Sequence, residues 1–499
     1  MTRHVLAVAA ICVVTVIRIA LTHDVFSPTY DEPLHVAAGH EFIAEHHYRT
    51  GTDNPPLARA FFAWPLRHAH PTSTDGMERI GEVYESVGDY MRGVAASRKG
   101  NLVFVVLAIV GTALLAGELL GAAAGVLAAL LFAMLPTTLA HGGLATPDMA
   151  GVAAFALAMV AWSRWLKEPT RGRTALLGVA IAFGLLVKFS FLPFFGIGAV
   201  VLMLASSGGT GALACRSGGD DRRGRLSTHW VTQCIAAGVI ALAIVYAVYL
   251  SAHAAPRFLI GLKKVIEIGR GGHDAYLLGE VRHTGWWYYF PVVLAVKTPI
   301  PVLLLAAWAM RKREHAVLTA TTLGILALAM TSKADLGIRH ILPIYVPLSI
   351  LAARAVRWKL LAPALVWIVA GSFLAHPDYL PWMNAFGGPH VVVDSNFDWG
   401  QDVLRLRDAC RRHRIDAIGV ELFGTADLKR IGMPPVHQID PMLAAPGWYA
   451  VSESFILPAQ ARDPRAYRWL TENRPFERVG KTIRLYQMAD SRTQIADSR

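Results

Sequence analysis

Charge is scarce in this chain, and so is cysteine. Of its 499 residues only 17% are Asp, Glu, Lys or Arg, whereas 54% are hydrophobic. A soluble domain carries about 25% charge, so most of this surface is kept from water. Single cores stop growing at about 250–300 residues, and a longer chain with a mean hydropathy of +0.40 reads as lipid-embedded. The four cysteines make no framework: Cys12 and Cys234 fall in apolar runs, Cys215 in a short loop, and Cys410 stands alone. CxxC pairs and Cys/His ligand spacings are missing, which removes metal and redox motifs of that kind. No repeat relates the two halves, as the binding halves of a transporter would require. The net charge of +12 implies nucleic acid only where basic residues cluster on a soluble face, and here they do not.

What is present is a series of apolar stretches, each able to cross a hydrocarbon core of about 30 Å. Eleven are expected, at about 5–21, 101–119, 121–139, 149–166, 174–188, 189–206, 231–250, 288–310, 316–331, 341–356 and 360–375. The N-terminal run is long for a signal peptide and lacks a small-x-small cleavage site, so it reads as a retained first helix. Short-loop arginines and lysines set the orientation. They gather at Arg164, Lys167, Arg171 and Arg173; at Arg216, Arg222, Arg223 and Arg225; at Arg311, Lys312 and Arg313; and at Arg354, Arg357 and Lys359. With the N-terminus inside, all four clusters are cytoplasmic and the C-terminus lies outside.

This topology sorts the polar sequence. A long first loop (22–100), the turn HGGLATPD, a middle loop (251–287), SKADLGIRH and the tail after His376 all fall on the outer face. Acidic and His-rich motifs gathered on one face suit an enzyme working at that surface. The expected fold class is therefore an all-α polytopic membrane protein, residues 1–375, followed by a small α/β soluble domain, residues 376–499. In the tail, VVVD and AIGVELFG read as strands, 398–413 as an amphipathic helix, TADLKRIG as a short helix, and GWYAVSESFIL and KTIRLYQM as further strands.

The first loop carries the strongest chemical signal, SPTYDEPLHVAAGHEFI followed by TGTDNPPLARAFFAWPL. Asp31 and Glu32 precede Pro33, which suits a helix start. Residues 34–48 and 57–68 mix apolar and polar positions at helical spacing, as in interfacial helices lying on a membrane. Together they suggest a lid over a cavity. The plainer reading makes the two acids helix N-terminal carboxylates favoured by the macrodipole.

YDEPLH, NPPLARA, PTTLAHGGLATPDMA, LLVKFSFLP, AVKTPIPVLL, GIRHILPIYVPL, HPDYLPWMNAFGG and DSNFDWGQDVLRL run in order over nearly the whole chain. In these segments the chain resembles the C-type (GT-C) glycosyltransferases, in particular the bacterial protein O-mannosyltransferase-like and aminoarabinose-transferase-like enzymes. That resemblance implies an inverting transfer of a sugar from a polyprenyl-phosphate carrier to an acceptor on a protein, glycan or lipid. It implies Asp31 as the base and Glu32 as a neighbour that orients it or contacts the acceptor. A leaving phosphate is already acidic, so one carboxylate suffices, worth typically 10²–10⁴-fold, with cations to hold the developing charge. Where the aminoarabinose transferases carry a lysine in the stretch matching DNPPL, this chain has Asn54, which leaves it as a substrate-binding candidate without a charge.

Other cations must then hold the phosphate. Lys297, inside a span, is the clearest, since charge within hydrocarbon marks function; its plainer reading is a snorkelling lysine. Arg339 and His340 stand at the outer mouth of another span, and Lys188 at an outer end. His141 and Asp148 flank the Gly-rich turn as candidate substrate contacts, or otherwise as turn and cap residues. Arg18 reads as a snorkeller and Trp286, Trp287, Tyr288 and Tyr289 as an aromatic belt. Asp394, Asp398 and Asp402 read as turn and helix-start residues rather than catalytic ones. No cofactor is required, no metal site is assigned, and a divalent ion beside Asp31 and Glu32 is left open. The rival readings are a multispanning transporter or flippase, with Lys297 and Asp31 as gating charges, and a non-catalytic membrane scaffold.

Overall fold

The computed structural model describes residues 2–207, 228–354, 358–443 and 445–489. Cys215, Arg216, Arg222, Arg223, Arg225 and Arg357 lie outside the described residues.

Each of the eleven apolar stretches contains helix among its described residues. The first is α1 (Thr2–Ala20). The first loop then folds into α2 (Glu32–Ala44), α3 (Pro56–Ala63), α4 (Gly76–Glu85) and α5 (Tyr90–Lys99). The bundle continues with α6 (Leu102–Leu120), α7 (Ala122–Ala133), α8 (Pro136–Gly142), α9 (Asp148–Lys167), α10 (Arg171–Val187), α11 (Phe191–Ser207) and α12 (Thr228–Leu250). After α13 (Arg257–Gly271) come α14 (Tyr289–Lys297), α15 (Ile300–Met310), α16 (Ala316–Ala329), α17 (Tyr345–Arg354) and α18 (Trp358–Leu374). Among the described residues four helices are long and apolar enough to cross a membrane alone, or up to six if each bent pair is one span. The chain is a membrane-embedded, multi-pass helical protein.

Two stretches expected as single spans are broken, each at proline. α7 and α8 meet at 70° where Pro136 opens α8, and α14 and α15 meet at 119° across Pro299 and Pro301. Proline removes an amide donor and forces the preceding residue out of the helical region. The second break leaves Lys297 at a helix end.

The first loop differs from expectation in a second way. α2 packs much of its surface inside the protein: Val36, Ala38, Gly39 and His40 are all buried. Gly39 permits this, because a Cβ there would stand 2.0 Å from the Arg59 carbonyl oxygen of α3. α5 runs almost directly into α6, so the end of the loop is helix.

In the middle loop, Ala275–Leu277 (β1) and Glu280–Arg282 (β2) form a separate hairpin, while in the tail β3 (Ile418–Glu421), β4 (Val436–Gln438), β5 (Gly447–Ser452), β6 (Glu477–Val479) and β7 (Ile483–Met488) build one sheet in the order β4-β3-β5-β7-β6. β3 runs parallel to β4 and β5, and β7 antiparallel to β5 and β6. The helix expected over 398–413 begins later, as α19 (Val403–His413), with Leu406 and Ala409 against the sheet. VVVD forms no strand, and GWYAVSESFIL is strand only to Ser452, where helix α21 (Glu453–Arg462) begins, after the single-turn α20 (Leu428–Ile431). In both cases apolar burial is right and periodicity is too short to fix the type.

Candidate active site

Asp31 caps the start of α2 by position, yet its side chain makes no capping bond. It turns instead to Arg339, whose Nη1 donates to Oδ2 at 2.5 Å. Arg339 stands in the one-sided 3-10 turn Ile338–Ile344, its guanidinium 4.5 Å from the centre of the Trp399 ring.

Glu32 points the other way and is fully buried. Arg98 grips it through Nε and Nη2, both at 2.8 Å, while the Thr29 amide (2.7 Å) and the Ala145 amide (2.8 Å) complete its shell. Burial pushes this carboxyl up, but the Arg98 guanidinium and the two amides outweigh it and hold it below the usual range. The remaining Arg98 donors go to the carbonyls of His23, Phe26 and Ser27, each at 2.8 Å. Both Glu32 oxygens are thus in use.

Lys188 and Asp148 pair directly. Asp148 also accepts the Thr146 hydroxyl at 3.0 Å and lies 3.9 Å from His141 Nδ1. The His141 ring sits 6.2 Å from Trp399, so this group adjoins Arg339. His340 completes the cluster. Burial and the charges of Arg339 and Lys188 keep its imidazole well below its ordinary pKa, and its Nε2 is buried without a partner among the described residues. Asp31, Lys188, Asp148, His141, Arg339 and His340, scattered in sequence, therefore meet at one place.

Two further expected members are held mainly by other contacts. Lys297 is buried, and its ammonium donates to three carbonyls: Leu380 (2.7 Å), Trp382 (2.8 Å) and Asn396 (2.8 Å). All three protons are used, which ties this lysine to the tail segment, while its charge acts on His141. Asn54 sits in a turn, its Nδ2 on Asp53 (3.0 Å) and its carbonyl accepting the Tyr48 hydroxyl. Arg59, which braces that turn, donates Nε to His35 Nδ1 at 3.0 Å. Arg18 is no snorkeller: it is buried and donates to the Ser372 carbonyl at 2.7 Å.

His35, Arg98 and Trp399 were missed. His35 lies four residues after Asp31, one helical turn on, and burial together with the Arg59 charge keeps it well below its ordinary pKa. Trp399 belongs to the DSNFDWGQD segment, which packs on the strip before Asp31. Ser27 N–H donates to the Gln401 carbonyl (3.1 Å) and Tyr30 N–H to the Trp399 carbonyl (3.0 Å). Arg98 had no sequence signal. Among the described residues no three His, Cys, Asp or Glu side chains stand together as metal ligands.

Residues 92–216 match the family described as dolichyl-phosphate-mannose-protein mannosyltransferase. No curated protein matches the chain. Among solved structures, ArnT from Cupriavidus metallidurans bound to undecaprenyl phosphate is similar at a TM-score of 0.53 and 14% identity, over 96% of this chain and 97% of that one. The same protein in its apo state gives 0.50, again at 14% identity and over the same shares. The apo oligosaccharyltransferase of Archaeoglobus fulgidus is more distant, with a TM-score of 0.42 at 12% identity, over 82% of this chain and 58% of that one. The chain therefore shares the fold of ArnT, and its residues 92–216 match the family model described above.

Proposed function

We propose that this protein is an inverting glycosyltransferase. It moves a sugar, a mannose-like hexose, from a polyprenyl-phosphate carrier to an acceptor hydroxyl on the outer face of the plasma membrane. The observation that carries this reading is the meeting of Asp31 with Arg339 beside the Asp148–Lys188 pair. It places one candidate base next to two cations in a site walled by helices. That ArnT was solved with undecaprenyl phosphate bound supports the ligand class.

The acceptor hydroxyl gives its proton to Asp31 while its oxygen bonds to the anomeric carbon. The bond from that carbon to the phosphate oxygen breaks, and the polyprenyl phosphate leaves with the electron pair. Attack opposite the phosphate inverts the centre. Arg339, Lys188 and His340 receive the phosphate; His340 offers its unpartnered nitrogen. Because Arg339 also pairs with Asp31, an arriving phosphate competes for the same guanidinium and frees Asp31 for its proton. Lys297 is left out of the phosphate set, since its protons hold the tail. Glu32 keeps the Asp31 backbone in place, and His141 and Asp148 line the site, with Asp148 steering Lys188; Asn54 shapes its rim through Arg59. Eleven spans with the N-terminus inside would put this cluster outside, with 1–375 as the catalytic membrane domain and 376–499 as an extracytoplasmic one that braces it.

The test uses purified protein in detergent with lipid-linked sugar and a hydroxyl acceptor. Asp31→Asn should lower kcat by about 10²–10⁴-fold with the fold intact. A protein that turns over nothing in detergent, yet moves lipid-linked sugar across sealed vesicles, would be a flippase.

A further inference from the structure

The tail segment holds three aspartates four residues apart, and the fold uses them unequally. Asp398 accepts the amides of Gly400 and Ser454, both at 3.2 Å. Asp402 accepts the amides of Lys481 (2.9 Å) and Thr482 (3.2 Å), the Thr482 hydroxyl (2.9 Å) and Arg405 (3.0 Å). Both are closed structural sites. Asp394 is not. Its carboxylate meets only the neighbouring Ser395 amide as hydrogen-bond donor among the described residues, and the side chain is half-buried.

Its backbone is held in the left-handed region, at φ 57°, where a residue other than glycine persists only if its surroundings fix it. They do. Ser395 Oγ donates to the Leu336 carbonyl at 2.7 Å, Asn396 Oδ1 accepts the Ile338 amide at 2.9 Å, and Lys297 holds the Asn396 carbonyl at 2.8 Å. These bonds fasten the segment to the turn that carries Arg339. The charges of Arg339 and Asp31 both act on the Asp394 carboxylate.

We propose that Asp394 is a specificity-determining carboxylate that accepts hydrogen bonds from the hydroxyls of the donor sugar. The inference rests on the transferase reading. Arg339 then fixes where the phosphate sits, and the sugar is one bond from it. With Asp31 on the acceptor side and Asp148 held by Lys188 and the Thr146 hydroxyl, Asp394 is the remaining carboxylate whose charge acts on Arg339, and it is left to face the sugar. A carboxylate offers about four acceptor positions, which suits adjacent hydroxyls. A site built to bind a hydroxyl discriminates strongly against sugars that lack or misplace it.

Asp394→Asn and Asp394→Gly are suitable variants, since both residue types tolerate the left-handed backbone. The probes are polyprenyl phosphates carrying mannose, glucose, arabinose or aminoarabinose. If wild type turns over none of them, the transferase reading itself fails. With a sugar that is turned over, both variants should raise the donor KM at least tenfold. The preference between sugars differing at one hydroxyl should narrow, and kcat should change far less than in Asp31→Asn. A donor KM and sugar preference within twofold of wild type in both variants overturn the proposal. So does a fall in kcat alone, which would put Asp394 on the acceptor side.

Discussion

Glu32 and Arg98 form a closed, bidentate pair at 2.8 Å, one residue from the Asp31–Arg339 pair that borders the site. Neighbouring acids thus have opposite employment. Removing one partner of a buried pair strands the other and costs about 3–5 kcal/mol. Glu32→Gln and Arg98→Met should each lower the melting temperature sharply in detergent. Because Arg98 holds Glu32 below the unfolded carboxyl value, the pair stabilises the fold above that value, and the gain fades as pH falls through the folded pKa. Melts that match wild type would show that the pair is dispensable.

Lys297 separates two ideas about a charge at membrane depth. Lys297→Met leaves three carbonyls without donors, each costing about 1–3 kcal/mol. The expected outcome is a poor yield of folded protein, while folded molecules keep their affinity for undecaprenyl phosphate. A well-folded variant that has lost that affinity would restore the lysine to the phosphate set.

Asp335 gives a pH signature. Its Oδ2 accepts the Trp286 amide at 2.8 Å while its Oδ1 is buried without a partner among the described residues, and burial pushes the carboxyl up to about 6. A folded pKa above the unfolded one means that the protonated form favours folding. This contribution is full below the unfolded value of 3.8 and is lost as pH rises through about 6. Asp335→Asn keeps an acceptor for Trp286 and removes the charge. Above pH 6 the variant should melt higher than wild type, and its melting temperature should not fall between pH 4 and 6 as that of wild type does. Parallel pH profiles for the two proteins would refute this.

Much of this was legible in the sequence because lipid imposes a plain code. Apolar length marked stretches that the structure folds as helix, and Asp31, Lys188, Asp148 and Arg339, expected to gather, do meet. The breaks at Pro136 and Pro299 were written there too, but hydropathy alone runs straight through a proline. What could not be read was pairing. Nothing local tells that Glu32 finds Arg98 while Asp31 finds Arg339, or that Lys297 ends on three carbonyls of the tail. Those partners are 66, 308 and up to 99 residues away, and only the packed fold selects them. The tail also misled, because stretches as short as VVVD have too few residues to separate a strand from a buried turn.

Arg339 and Trp399 offer the finest test of the site. The guanidinium lies over the indole ring at 4.5 Å while it reaches Asp31, so the ring fixes the angle at which the cation meets a carboxylate or a phosphate. Such a contact is worth about 0.5–2 kcal/mol, or about 2- to 30-fold in affinity or rate. Trp399→Phe keeps a weaker face and Trp399→Leu keeps none, so kcat/KM should fall in the order Trp, Phe, Leu, with the loss mainly in the donor KM. Arg339→Lys keeps the charge but loses the planar fork and the stacking. It should resemble Trp399→Leu or be worse, and in the Arg339→Lys background the Trp399→Leu change should add little. If the two losses simply multiply, the ring does not act through the arginine.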